Sequence, residues 1–119
     1  MRNNTIWNCK NPYQGTMPKV LCLCSAGLLR SPTIAWVMSN NNYNTRAAGI
    51  YDYALVEMDE VLIAWADLIV CANTDVYENV VNKVGEKPIY DLKLPDVYGY
   101  REKALVTKVK SKLKELELI

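Results

Sequence analysis

Cys24 and Arg30 stand six positions apart and are the residues of this chain best suited to chemistry. The segment reads Cys24-Ser25-Ala26-Gly27-Leu28-Leu29-Arg30-Ser31-Pro32. Gly27 allows backbone amides to turn inward, and Arg30 offers a planar fork for two oxygens of an oxyanion. A cysteine sulfur beneath a bound phosphate can attack its phosphorus. The arrangement therefore indicates phosphate-ester hydrolysis through a cysteinyl-phosphate intermediate.

The cysteine has to be activated without histidine, because the chain contains none. Cys-His nucleophile pairs and histidine-ligated metal sites are therefore excluded. A helix N-terminus and the Arg30 guanidinium favour the thiolate form of Cys24, and the Ser31 hydroxyl could hydrogen-bond that thiolate. The alternative interpretation is a buried structural cysteine beside a surface arginine. The context of an apolar run before the loop and Ser31-Pro32 after it favours the phosphate site.

Protonation of the leaving oxygen needs an acid, and a carboxylic acid is the natural choice in a chain without histidine. Asp96 follows the fourth predicted strand and stands among tyrosines, whereas Asp91 is closer to that strand. Asp52 lies after the second predicted strand. Aspartates are also common in turns and helix caps, so position alone favours Asp96 over Asp91 only modestly.

Length and composition set the broad class. The chain has 119 residues, a formal net charge of +1 and 50% apolar residues, which predicts one domain with one core. We expect residues 1–18 to form an irregular N-terminal arm and residues 19–119 the domain. No apolar stretch has the length of a membrane span or signal peptide, so a cytoplasmic protein without a membrane partner is expected. The low net charge argues against a nucleic-acid partner.

Strand and helix patterns alternate four times along the domain. Short apolar runs predict strands at residues 20–23 and 68–71, and residues 44–48 and 88–90 fit two further strands of the same alternating pattern. The first helix is predicted to begin with Ser31 as N-cap and Pro32 as its first residue, and to end at residues 40–42. Apolar residues at helical spacing predict three more helices: Leu55, Met58, Leu62 and Trp65, then Val76, Val80 and Val84 with a stop at Gly85, then Val106, Val109, Leu113 and Leu116.

This alternation predicts an α/β fold with a four-stranded parallel sheet and helices on both faces. Ligands of such sheets bind beyond the carboxyl ends of the strands. The loop that follows Cys24 begins at the carboxyl end of the first predicted strand. The expected position of the phosphate site therefore agrees with the chemistry of its residues.

The chain resembles the low-molecular-weight protein tyrosine phosphatases, in a shortened form, over most of residues 19–118. Four segments carry the resemblance: residues 20–32, 46–50, 65–70 and 96–98. The resemblance implies sheet order 2-1-3-4, no metal or other cofactor, and a phosphotyrosine-containing protein or small aryl phosphate as substrate.

The same resemblance assigns roles to individual residues. It makes Cys24 the nucleophile, Arg30 the phosphate ligand that stabilises the transition state, and Ser31 the hydrogen-bond donor to the thiolate. It makes Asp96 the acid of the first step and the base of the second. The backbone amides of residues 25–30 would bind the phosphoryl oxygens. Three tyrosines would line the slot for an aromatic leaving group: Tyr98, Tyr51 and Tyr53.

The chain departs from the family pattern at four positions. Gly27 and Ala47 stand where the family often has an asparagine and the serine that holds it. Leu29 stands where many members of the family have a second cysteine, which can form a protective disulfide with the nucleophile. Cys22 is interpreted as a small core residue. Val97 stands where proline is usual after the acid.

Three other functions remain open from the sequence. An arsenate reductase-like enzyme would need further accessible thiols, and Cys71 lies in a predicted buried strand. A domain that binds phosphorylated partners without turnover would keep Arg30 but could dispense with Asp96. A plain interaction module would use two arm aromatics and the lysines of the last helix, namely Trp7, Tyr13, Lys108, Lys110, Lys112 and Lys114, although these lysines suit a solvated helix face.

Overall fold

The fold is given by a computed structural model, which describes residues 17–25, 30–51, 54, 56–94 and 103–119. Several residues of the sequence analysis lie outside these ranges, and the predictions made for them stay predictions. They are Trp7, Tyr13, Ala26, Gly27, Leu28, Leu29, Asp52, Tyr53, Leu55, Asp96, Val97 and Tyr98.

Four parallel strands form the sheet of the described residues. They are β1 (Lys19–Cys24), β2 (Asn44–Gly49), β3 (Leu68–Cys71) and β4 (Ile89–Asp91). Their order is β2-β1-β3-β4, and Cys24 at the end of β1 lies opposite Gly49 at the end of β2. The predicted α/β class and the order 2-1-3-4 are confirmed. β3 has the predicted bounds, and β1, β2 and β4 differ from theirs by one residue at one or both ends, as expected for element ends.

Side chains of β1 alternate between the two faces of the sheet, and all those from Val20 onward are buried. Val20, Cys22 and Cys24 belong to one apolar cluster, while Leu21 and Leu23 belong to another. The first cluster is completed by α1 (Arg30–Ser39) and α4 (Lys103–Glu115), and the second by α2 (Glu60–Trp65) and α3 (Thr74–Val80). Cys24 therefore faces the side of the sheet that α1 covers.

The start of α1 differs from the prediction. The helix is already formed at Arg30, so Ser31 is not its N-cap and Pro32 is not its first residue. Pro32 is tolerated because the amides of the first helical turn have no partner within the helix. The end is as predicted, since Asn42 adopts a positive φ of 71° after the last turn.

Helix α2 is shorter than predicted, and the assignment of Met58 to it is wrong. The predicted helix depended on apolar residues at helical spacing, but Val56 and Met58 form backbone hydrogen bonds with Gly49 instead. The Gly49 amide donates to the Val56 carbonyl and the Met58 amide donates to the Gly49 carbonyl, both at 2.8 Å. Asp59 then caps α2 by accepting from the Leu62 amide at 2.8 Å.

Helix α3 continues into a 3-10 helix (Val81–Lys83) rather than one unbroken helix to Val84. Val76 and Val80 are fully buried and Val84 nearly so, which agrees with the predicted inner face. Asn73 caps α3 by accepting from the Val76 amide. Gly85 adopts a φ of 66°, a conformation that suits glycine, and the chain turns there as predicted.

Helix α4 packs on α1 through Leu105, Val109 and Leu113, all fully buried. The sequence analysis placed Leu116 on the inner face, and this is wrong. The helix ends at Glu115, and Leu116 is 37% exposed beyond it. Lys108, Lys110 and Lys114 are exposed and Lys112 is half-buried. Within the described part of the chain, no helix is both long and apolar enough to cross a bilayer.

Candidate active site

Cys24 is the last residue of β1 and is 3% exposed. Its thiol donates to the Ser31 hydroxyl oxygen at 3.1 Å, and the Ser31 hydroxyl donates to the Ala48 carbonyl at 3.4 Å. The two residues meet because Cys24 points toward the face covered by α1, whose first turn holds Ser31. When the sulfur is ionised, the Ser31 proton can turn from the Ala48 carbonyl to the sulfur. The geometry thus suits a hydroxyl that stabilises a thiolate.

The entrance to the loop after β1 is held by backbone hydrogen bonds from the end of β2. The Ile50 amide donates to the carbonyls of Cys24 and Ser25 at 3.1 and 3.0 Å, and the Tyr51 amide donates to the Ser25 carbonyl at 3.2 Å. These bonds direct two carbonyl oxygens toward β2, where they cannot oppose an anion in the loop. Tyr51 itself is 40% exposed at the same edge of the sheet.

Arg30 is 3% exposed although a guanidinium remains charged. Its Nη1 donates to the Leu94 carbonyl at 3.4 Å. Leu94 is fixed in turn, because its amide donates to the Ala72 carbonyl at 2.7 Å and its side chain is 2% exposed. Arg30 is therefore bonded to Leu94, the residue that directly precedes residues 95–102.

Of the candidate acids, Asp91 lies among the described residues. The Asp91 carboxylate accepts from the Thr74 hydroxyl at 2.6 Å and from the Lys93 amide at 2.8 Å, so both of its oxygens are engaged. This arrangement is that of a turn residue, the alternative that the sequence left open for every candidate acid. Asp96 lies two residues beyond Leu94, outside the described residues.

The described cysteines occupy separate environments, and no disulfide joins them. Cys22 is a fully buried core residue on the face of Cys24, as predicted, whereas Cys71 lies in the cluster on the opposite face of the sheet. Burial, with a smaller contribution from Asp91, raises the pKa of Cys71 to about 12. Cys71 is therefore an unreactive thiol, directed away from Cys24. Among the described residues, no cluster of acids and cysteines could hold a metal ion.

Sequence analysis did not identify Leu94, Ile50 and Tyr51 as parts that hold the site. Each acts there through its backbone amide or carbonyl. Because every residue type except proline carries both groups, such contacts leave no signal in residue types. The signal that could have been used is positional, since all three residues follow strands that end at the same edge of the sheet.

Comparisons with known proteins found a similar structure but no similar sequence. No protein-family model matches the sequence, and no curated protein matches it. The crystal structure of a YwlE mutant from Bacillus subtilis matches 83% of this chain and 93% of its own, with a TM-score of 0.56 and 17% sequence identity. An identity this low shows the fold alone. With its sheet order and its flanking helices, the chain has the fold of YwlE, which is the low-molecular-weight protein tyrosine phosphatase fold.

Proposed function

We propose that the chain is a cysteine-dependent phosphomonoesterase that acts on phosphotyrosine or a similar aryl phosphate. The observation that carries this proposal is the 3.1 Å contact between the Cys24 sulfur and the Ser31 hydroxyl at the carboxyl end of β1. A hydroxyl at this distance can donate to the sulfur once it is ionised, which is the support that a nucleophilic thiolate requires. The shared fold supports the same reaction class.

Arg30 is the proposed phosphate ligand. Its burial supports this role, because a bound dianion offsets the cost of keeping a cation away from water. The Leu94 carbonyl accepts a hydrogen bond from Nη1 and so helps to orient the guanidinium, a planar fork of the kind that binds two phosphate oxygens. The amides of residues 25–30 are proposed to bind the remaining oxygens.

Asp96 is the proposed general acid, in preference to Asp91. The engagement of both Asp91 oxygens with Thr74 and Lys93 supports this choice, since it is the arrangement of a turn residue. Asp96 follows Leu94, whose carbonyl contacts Arg30, by two residues in the sequence. Tyr51, Tyr53 and Tyr98 are proposed to contact the aromatic leaving group.

The reaction proceeds in two steps. In the first, the Cys24 thiolate attacks phosphorus in line with the leaving oxygen. The S–P bond forms, the O–P bond breaks, and Asp96 gives its proton to the departing oxygen. In the second, Asp96 takes a proton from water as the water oxygen attacks phosphorus. The S–P bond then breaks, and the thiolate that leaves is stabilised by the Ser31 hydroxyl.

The test is an assay of the purified protein with p-nitrophenyl phosphate. We expect a burst of nitrophenolate followed by slower turnover, and a cysteinyl-phosphate that acid quenching traps on Cys24. Cys24→Ser should abolish turnover but keep phosphate binding, while Cys22→Ser serves as the control for a neighbouring cysteine. Vanadate should inhibit. Phosphate binding without turnover by the unmodified protein would replace hydrolysis with the binding-module function.

The described cysteines give an arsenate reductase-like reaction less support, and Cys9 lies outside the described residues. That reaction requires a second accessible thiol, and Cys71 is fully buried on the other face of the sheet from Cys24. Cys22 is two residues from Cys24 along one strand, and its side chain is in the core. Arsenate reduction coupled to a thiol reductant would contradict this part of the proposal.

A further inference from the structure

A surface depression of about 420 Å³ borders the proposed phosphate site. The described residues that line it are Asn73, Thr74, Asp75, Lys93 and Leu94. Leu94 belongs to both places, because its carbonyl contacts Arg30. The depression lies beyond the carboxyl ends of β3 and β4, the edge at which β1 ends with Cys24. Its volume is within the range of small-molecule sites.

Among the described residues that line the depression there is one charge of each sign. Asp75 and Lys93 carry these charges, and both side chains are exposed. Within the ranges that the structure describes, neither takes part in an ion pair. Of the other described lining residues, Asn73 caps α3 through its side-chain oxygen, and the Thr74 hydroxyl donates to Asp91. Asp75 and Lys93 are thus the charged groups of the described lining that can bind a ligand.

The backbone around Lys93 gives that charge a defined position. Its φ is 54°, and its amide donates to the Asp91 carboxylate at 2.8 Å. Leu94, the next residue, is held by the Ala72 carbonyl. Lys93 therefore projects from a turn that is tied on both sides, rather than from a loose segment.

We propose that this depression is a substrate subsite that selects phosphate monoesters whose leaving group carries both a carboxylate and an ammonium group. Lys93 binds the carboxylate and Asp75 binds the ammonium group. Free phosphotyrosine carries both groups itself. A phosphotyrosine residue between acidic and basic neighbours presents the same two charges. The inference rests on the proposed function and adds to it the charge pattern of the substrate.

Four aryl phosphates with one common leaving oxygen test the subsite. They are phosphotyrosine, its N-acetyl form, its amide, and the N-acetyl amide, which carry both charges, the carboxylate only, the ammonium only, and neither. At low ionic strength we expect kcat/KM to be highest for phosphotyrosine and to fall about 2- to 5-fold for each charge removed. The change should appear in KM, since both charges lie away from the reacting atoms.

Two substitutions separate the contributions. Lys93→Gln should abolish the preference for the carboxylate and keep that for the ammonium group, and Asp75→Asn should do the opposite. Lys108→Gln on α4 and Glu78→Gln on α3 are matched controls at exposed positions that do not line the depression. Both controls should keep the discrimination of the unmodified protein.

The outcomes separate the two proposals. Equal discrimination in Lys93→Gln, Asp75→Asn and the unmodified protein would overturn the subsite while the phosphatase function stands. Absence of turnover with all four compounds, including the N-acetyl amide that carries neither the carboxylate nor the ammonium group, would overturn the phosphatase function and the subsite with it. A loss of kcat alone in either variant would also contradict the subsite, because a binding group must act on KM.

Discussion

The sulfur of Cys24 and the hydroxyl oxygen of Ser31 lie 3.1 Å apart, although one ends a strand and the other lies in the first turn of the following helix. The contact depends on the face to which Cys24 points and on a helix that is already formed at Arg30. A helix beginning two residues later, at Pro32 with Ser31 as its cap, would have used this hydroxyl for a backbone amide. The site and the helix start are therefore determined together.

Ser31→Ala should slow the second chemical step. A hydrogen bond to a charged group contributes about 1.5–3 kcal/mol, so we expect steady-state turnover of p-nitrophenyl phosphate to fall about 10- to 150-fold. The burst should persist, because the lost bond stabilises the thiolate as it leaves phosphorus. Rapid-quench measurement of the burst and the steady state would separate the steps. Ser39→Ala, which removes a hydroxyl bonded within the same helix, should leave both unchanged.

Asp96→Asn should act most strongly on substrates with poor leaving groups. Loss of a general acid costs about 10²- to 10⁴-fold for an alkyl or unsubstituted phenyl ester and much less for nitrophenolate, which needs no proton. A series of aryl phosphates measured with Asp96→Asn and Asp91→Asn would distinguish the two acids. If Asp91→Asn, and not Asp96→Asn, slows the esters with poor leaving groups most, then Asp91 is the general acid.

Lys87→Met should destabilise the fold without changing the chemistry. The Lys87 ammonium donates to the carbonyls of Ile63, Ala64 and Ala66, at 2.5, 3.0 and 2.7 Å, and so satisfies groups that the end of α2 leaves without helical partners. We expect the free energy of unfolding in urea to fall by about 1–2 kcal/mol, given partial exposure. Lys83→Met, at an exposed lysine nearby, should change it little.

Stability should decline in alkaline solution because of Cys71. Its folded pKa is about 12, against an ordinary value near 9, so the folded state keeps a proton that the unfolded state loses. This contribution to the free energy of unfolding is fully present below pH 9. It is lost as the pH rises through 12, and the loss is at most about 4 kcal/mol. Urea titrations between pH 8 and 11 would measure the slope.

Cys71→Val is the variant that tests this pH dependence, since it keeps an apolar side chain of similar size in the core. Its unfolding free energy should depend less on pH above 9 than that of the unmodified protein. Some decline should remain above pH 10, because burial, and to a lesser extent Tyr90, raises the pKa of Tyr43. An unchanged slope in Cys71→Val would show that Cys71 is not responsible.

The sequence predicted the centre of the sheet well because β1 and β3 are short apolar runs that are buried on both faces. Residues 20–23 and 68–71 correspond closely to β1 and β3, and alternation with helices implied parallel pairing. The helix near Met58 was predicted wrongly for a related reason. Apolar residues at helical spacing indicate that one side of a segment is buried, but they do not require a helix. Here the backbone of Val56 and Met58 bonds to Gly49, a partner that only the folded chain brings near.

By itself the sequence determined the fold class and the candidate phosphate loop, because both are encoded by residues close together in the chain. The tertiary structure alone decided which groups surround that loop. It engaged Asp91 with Thr74, tied Arg30 to Leu94, and directed Cys71 away from Cys24. These relationships depend on strand register and on the carboxyl ends of separate strands meeting at one edge, which no local pattern of residues specifies.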